Sequence, residues 1–183
     1  VSRIGPLIAA IALVPPGPDD PGRPTLPESW LGTYAGTFTI EGDSAIEPFR
    51  GELRVAPIGE GPAVSWTIIY GEGDRRQVRP YELVPVDGQP GRFEIDEKNG
   101  VRIAMRLVGE DLLLGQFTVG DSLIVARYER SADAIRAELA TFDAASPRSM
   151  RVEGAGLEVS SMPLRSVQRA TLRRVSADAE GPG

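Results

Sequence analysis

Residues 92–107 read RFEIDEKNGVRIAMRL: two acids, the chain's only lysine and an Asn-Gly pair between two runs of alternating apolar residues. Two hairpin registers are open to this stretch. If Asn99-Gly100 forms a two-residue turn, Ile95 faces Ala104 and Phe93 faces Arg106, and both faces come out mixed. If the loop is Lys98-Asn99-Gly100, a type I turn closed by Gly100 in the left-handed region, Ile95 faces Ile103 and Phe93 faces Met105. Asp96 then meets Arg102 on the other face. A one-residue slip exchanges the two faces, so burial selects the three-residue loop. Asp96, Lys98 and Asn99 become solvated corner residues, as turn chemistry requires. Glu97, beside Val101, turns to the apolar side near the end of the sheet, where a carboxylate needs a partner or a wet rim.

The same period of two runs outward in both directions. Trp30, Tyr34, Phe38 and Ile40 alternate with threonines and Leu31, and Val64, Trp66, Ile68 and Tyr70 share one face. Alternation recurs over 49–58, 78–86, 101–107, 112–119, 123–130, near Leu157 and over 167–175, with Gly, Pro and Asp clusters between. Short strands with turns at such spacing predict an all-β antiparallel meander. Residues 131–142 have the apolar spacing of a helix, with Ser131 as a cap. Their hairpin-linked neighbours favour a strand. About ten sequential strands must hide two free edges, and closing into a lipocalin-like barrel does so; a β-sandwich is the alternative. Gly32, Gly36, Gly51 and Gly115 lie within strands, where a bend or a close approach calls for glycine.

The ends read differently. Arg3 followed by an apolar run and Ala10-x-Ala12 predicts a signal peptide over 1–14, too short for a membrane span. No cysteine follows, so a lipoprotein anchor is excluded, and the expected location is secreted or periplasmic. Residues 15–27, PPGPDDPGRPTLP, predict a linker, because proline removes backbone donors. The folded domain is expected over 28–175, with a tail over 176–183.

Composition narrows the chemistry. The chain has 183 residues, enough for one domain, and 41% of them are hydrophobic, enough for a core. Histidine and cysteine are absent. That removes Ser-His-Asp and Cys-His nucleophiles, thiolate zinc sites, His-ligated haem and disulfides. No D-x-D-x-D-G calcium loop is present, and no cofactor is expected. The net charge of −6 argues against nucleic acid as a partner.

Tyr70-Gly71-Glu72, Arg79-Pro80-Tyr81-Glu82-Leu83, the 96–100 hairpin and Gln168-Arg169-Ala170-Thr171-Leu172-Arg173-Arg174 together resemble a family of uncharacterised exported bacterial proteins with a lipocalin-like barrel. The resemblance covers 30–174 and implies a fold; it implies no reaction or ligand. The strict lipocalin G-x-W signature is missing, so kinship with lipocalins is architectural.

Arg79 and Tyr81 share a strand face, and if it points inwards they meet Tyr70, Glu72 and Glu97 at one end of the barrel. Such a set satisfies itself as a polar network or reads the polar group of a ligand. Trp66, on the face of Tyr70, joins them as a candidate ligand contact. Three functions follow. The first is binding of a small, mostly apolar molecule inside the barrel. The second is an envelope interaction module without a pocket, with Leu114, Gln116, Val125 and Arg127 as its outer patch. The third is a carboxylate-based hydrolase using Glu72 and Glu97; a non-enzymatic role is preferred over it. A hollow interior on which Arg and Glu converge would mark the carrier.

Overall fold

The computed structural model describes residues 25–42, 46–152 and 157–176. The signal expected over 1–14 lies outside these residues, as do the linker up to residue 24 and the tail beyond 176. Period-two alternation produces strand after strand: β1 (Gly32–Gly42), β2 (Ile46–Pro57), β3 (Val64–Tyr70), β4 (Gln77–Pro85), β5 (Arg92–Asp96) and β6 (Arg102–Val108). There follow β7 (Leu112–Val119), β8 (Ser122–Arg130), β9 (Ala134–Asp143), β10 (Arg148–Val152), β11 (Leu157–Ser161) and β12 (Leu164–Arg174). Consecutive strands pair antiparallel from β1 to β9, and β12 then inserts between β9 and β1 to close a ten-stranded barrel. Neither edge is left free. The 131–142 segment is strand β9, as its hairpin neighbours suggested. The β10–β11 hairpin stands outside the ring, an excursion the alternation near Leu157 did not distinguish from a barrel strand.

The 92–107 hairpin pairs Phe93 with Met105, Ile95 with Ile103 and Asp96 with Arg102, the register that burial selects. Its loop differs from a type I turn. Lys98, the first loop residue, sits at φ 61° and Gly100 at φ 94°. Side chains hold this path: Asp96 Oδ1 accepts from the Lys98 N–H at 2.8 Å and Asn99 Oδ1 from the Val101 N–H at 2.9 Å. Lys98 also pairs with Glu82 on β4. These local acceptors offset the left-handed backbone at a residue that carries a Cβ.

Inward-facing side chains fill the ring. Trp30, Tyr34, Phe38, Leu53, Trp66, Leu83, Phe93, Met105, Leu113, Tyr128, Ile135 and Leu172 are all buried in one cluster. A ten-stranded ring is wider than the eight-stranded barrels that side chains fill most easily. Here indole and phenyl rings take up the extra width. Gly51 shows how tightly: a Cβ there would strike the Phe38 ring, which lies over the glycine and stacks on Phe49 at 5.6 Å.

The domain boundary needs a correction. Leu26, assigned by its prolines to a linker, is 6% exposed and packs into the core cluster. It leads into a 3-10 turn, Glu28–Trp30, in which the Trp30 N–H reaches the Pro27 carbonyl at 3.0 Å. The folded unit therefore begins by Leu26. Pro27, which follows it, has an extended backbone, which is no obstacle to burying one leucine.

Candidate functional site

The two ends of the barrel are built differently. At the end where β1 begins and β12 finishes, Trp30 is 0% exposed and plugs the ring. Its indole N–H donates to the Glu110 carbonyl at 2.7 Å, and its carbonyl accepts from the Tyr34 hydroxyl at 3.1 Å. The Arg174 guanidinium lies 4.7 Å from the Tyr34 ring centroid and donates to the carbonyls of Ser29, at 2.9 Å, and Leu31, and to the Tyr34 hydroxyl. Burial raises the Tyr34 pKa against the pull of Arg174. The first and last segments of the domain are thus latched together. This end is closed.

At the opposite end, strand pairing brings a second set of inward-facing residues to one rim. Tyr70 lies across from both Gly51 and Gln77, Arg79 across from the inward-facing Ile68, and Tyr81 across from the inward-facing Trp66. Glu97 continues the face of Ile95, and its N–H closes the hairpin on the Val101 carbonyl at 3.0 Å. Four of the predicted site residues meet here: Tyr70, Arg79, Tyr81 and Glu97. Burial raises the Tyr81 pKa, the Glu97 carboxylate raises it further, and the Arg79 guanidinium opposes both. Tyr81 therefore sits between the two charges and mediates between them. Burial likewise raises Tyr70, opposed chiefly by the Gln168 amide.

The other two predicted residues lie elsewhere. Glu72 is exposed in the β3–β4 turn, its Oε1 3.6 Å from Arg50 Nε. Trp66 is buried at 0% exposure in the interior, between Trp30 at 6.2 Å and Tyr128 at 5.1 Å between ring centroids. It supports the site from beneath and does not reach the rim. Tyr128, next to it, is wholly enclosed, and burial pushes its phenol far above the ordinary range. Glu72 and Glu97 have separate partners, Arg50 for one and Asn99 and Tyr81 for the other.

The interior space is small. The enclosed cavity lined by Phe38, Leu53, Ile68, Tyr70, Tyr128, Ala137, Leu139 and Leu172 measures about 10 Å³. That is room for about one water molecule and for no organic ligand. A much larger cleft, about 760 Å³, opens at the rim itself. Phe49, Tyr70 and Gln168 form its inner wall, and Glu47, Arg50, Glu72, Arg75 and Gln77 lie around it. The Phe49 and Tyr70 rings meet edge to face at 5.9 Å. The buried Gln168 side-chain N–H₂ has the Tyr70 hydroxyl as its polar neighbour.

Phe49 and Gln168 were not among the residues the sequence singled out. Gln168 shares a face with Ala170 and Leu172, a legible alternation, but its neighbours Ile40 and Leu139 are set by the insertion of β12 between β9 and β1.

Two solved structures share this architecture. One is a protein of unknown function from the DUF3598 family of Nostoc punctiforme, 12% identical, matched over 84% of this chain and 51% of its own, with a TM-score of 0.54. The other is an S-type phycobiliprotein lyase from Guillardia theta, 6% identical, matched over 82% of this chain and 90% of its own, with a TM-score of 0.57. The likeness is one of fold. This chain spans about half the length of the DUF3598 protein. No family model and no curated protein matches the chain. Among the described residues, no helix is long and apolar enough to cross a membrane, and no group of three or more acidic side chains is placed to hold a metal ion.

Proposed function

We propose that this domain binds a small molecule at the open end of its barrel, in the cleft walled by Phe49, Tyr70 and Gln168. One observation carries the reading: the cavity among the core rings holds about 10 Å³, while the aromatic-walled rim holds a cleft of about 760 Å³. The second figure lies within the ~300–1,000 Å³ of ordinary ligand sites, and the first does not. The expected ligand site therefore moves from inside the barrel to its mouth. Arg79, Tyr81 and Glu97 adjoin it as a polar shoulder. The exported setting read from Arg3 and the apolar run after it, and the resemblance to exported barrel proteins, belong to this reading.

Native mass spectrometry of protein purified from its own source tests it. A retained small molecule, lost on Phe49→Ala together with Tyr70→Ala, is the expected result. Retention unchanged in that double variant would place the ligand elsewhere and refute the cleft.

A second reading has its own support. The β10–β11 hairpin leaves the barrel with Met150, Leu157 and Val159 exposed at 62%, 45% and 44%. Met150 pairs with Val159, so both lie on one face. This fits an interaction module better than the outer patch of Leu114, Gln116, Val125 and Arg127, where only Gln116 is fully exposed and Arg127 pairs with Glu129. Glu72 and Glu97 have different partners, which weighs against the hydrolase reading.

A further inference from the structure

The exposed corner of the 92–107 hairpin carries the chain's only asparagine, and a glycine follows it. Turn chemistry accounts for an asparagine at this position, but the way its carboxamide is held has a further consequence. The carbonyl oxygen, Asn99 Oδ1, accepts from the Val101 N–H at 2.9 Å. That bond draws electrons from Cγ and stabilises any negative charge that grows on the oxygen. The amide nitrogen, Nδ2, donates to Glu97 Oε2 at 3.2 Å. These partners fix which way round the amide lies, since the backbone N–H only donates and the carboxylate only accepts. The next backbone nitrogen, that of Gly100, donates to nothing among the described residues. Nothing lies within 4 Å of the place where a Gly100 Cβ would stand, so this nitrogen is unobstructed.

The geometry points to Asn99 as a site of self-modification, in which the Gly100 nitrogen attacks Asn99 Cγ and Glu97 passes a proton to the leaving group. The N–Cγ bond forms as the Gly100 N–H gives up its proton to solvent. The Cγ–Nδ2 bond breaks as Glu97 relays a proton from solvent onto Nδ2, which departs as ammonia. No oxidation or reduction occurs, and Glu97 ends as it began. Water then opens the five-membered imide. Opening at the Cγ–N bond leaves an aspartate at position 99; opening at the backbone C–N bond leaves an isoaspartyl link. Either product exchanges the donor facing Glu97 for a negative charge beside Glu97 and Asp96. The isoaspartyl link also adds a backbone atom inside the clasp between the Glu97 N–H and the Val101 carbonyl. The polar shoulder of Arg79, Tyr81 and Glu97 thus changes as the molecule ages, whether or not the cleft beside it is occupied.

Mass spectrometry of the intact chain follows the reaction, because no second asparagine competes. In mildly alkaline buffer the folded chain should gain one mass unit, or three in oxygen-18 water, carried on the tryptic peptide 99–102. Glu97→Gln keeps an oxygen for the Asn99 amide but passes no proton. It should slow the gain about tenfold, a modest share of the ~10²–10⁴ that a placed acid–base group contributes. In urea, where the two side chains are no longer held together, the same substitution should make no difference. Equal rates for the folded Glu97→Gln variant and the folded unaltered chain overturn the inference. So does an Asn99 that converts in urea but not in the folded chain. Scission of the 99–100 bond would show the amide nitrogen attacking the backbone instead, and would overturn it as well.

Discussion

The two ends of this barrel use the same alternation of inward and outward side chains and reach opposite results. At the closed end three inward side chains spend their donors on carbonyls of the chain itself. The Trp30 indole takes the Glu110 carbonyl, the Tyr34 hydroxyl takes that of Trp30, and the Arg174 guanidinium takes those of Ser29 and Leu31. At the open end side chains answer one another instead: Gln168 meets the Tyr70 hydroxyl, and Tyr81 is shared between Arg79 and Glu97. The difference lies in the backbone. The 3-10 turn at Glu28–Trp30 turns carbonyls towards the ring at the closed end, whereas the 3-10 turn at Gly73–Arg75 stands at the edge of the cleft beside Phe49, Tyr70 and Gln168. One end is sealed over the aromatic core, and the other opens on the cleft.

The strongest way to break this contrast is to unplug the closed end. Trp30→Ala should cost about 3–5 kcal/mol in denaturant unfolding, as for a large aromatic removed from a core. Phe49→Ala, at the half-buried rim, should cost no more than about half of that. Equal losses would erase the distinction between plug and rim.

A smaller effect tests where the plug begins. A chain starting at Glu28 should be less stable than one starting at Thr25 by about 2 kcal/mol, the worth of burying one leucine. Equal melting temperatures for the two truncations would return Leu26 to the linker.

Alkali sharpens the comparison through the tyrosines. All four, Tyr34, Tyr70, Tyr81 and Tyr128, have pKa values raised above the ordinary phenol, with burial the first cause in each. In the unfolded chain they ionise near pH ~10. Above that the unfolded state holds fewer protons than the folded one, so stability is full below pH ~10 and declines as pH rises beyond it. Phenolate absorbance and circular dichroism followed together should show Tyr81, at the open end, ionising before unfolding, and Tyr128 only with it. Simultaneous ionisation of all four would mean that both ends are equally sealed.

The smallest effect lies within the rim. The sequence places Arg79 and Glu97 together at the mouth, paired directly or through Tyr81 or Tyr70. The contact runs through Tyr81, and Arg79 is exposed. A double-mutant cycle on Arg79→Ala and Glu97→Gln should therefore be additive within about 0.5 kcal/mol. A larger coupling would mean that this rim is as locked as the opposite end.

Much of the rim was legible because register is a local property. Ile95 opposite Ile103 places Glu97 inwards, and the spacing of Arg79, Tyr81 and Leu83 places those side chains on one face. Gln168 was not legible, since it acquires its neighbours from β1, far away in the chain. Trp66 illustrates the limit from the other side. Its inward face was readable, but its depth below the rim was not.

The period of two by itself determined an antiparallel meander, the register of the 92–107 hairpin and which side chains face inwards. Those depend on the pleat and on the burial of one face, interactions among residues a few positions apart. Whether the barrel is hollow and which end is sealed were decided only by the tertiary structure. Free volume is the small difference between the space a ten-stranded ring encloses and the volume of the side chains within it. That difference depends on how Trp30, Phe38, Trp66 and Tyr128 pack together across strands distant in the chain.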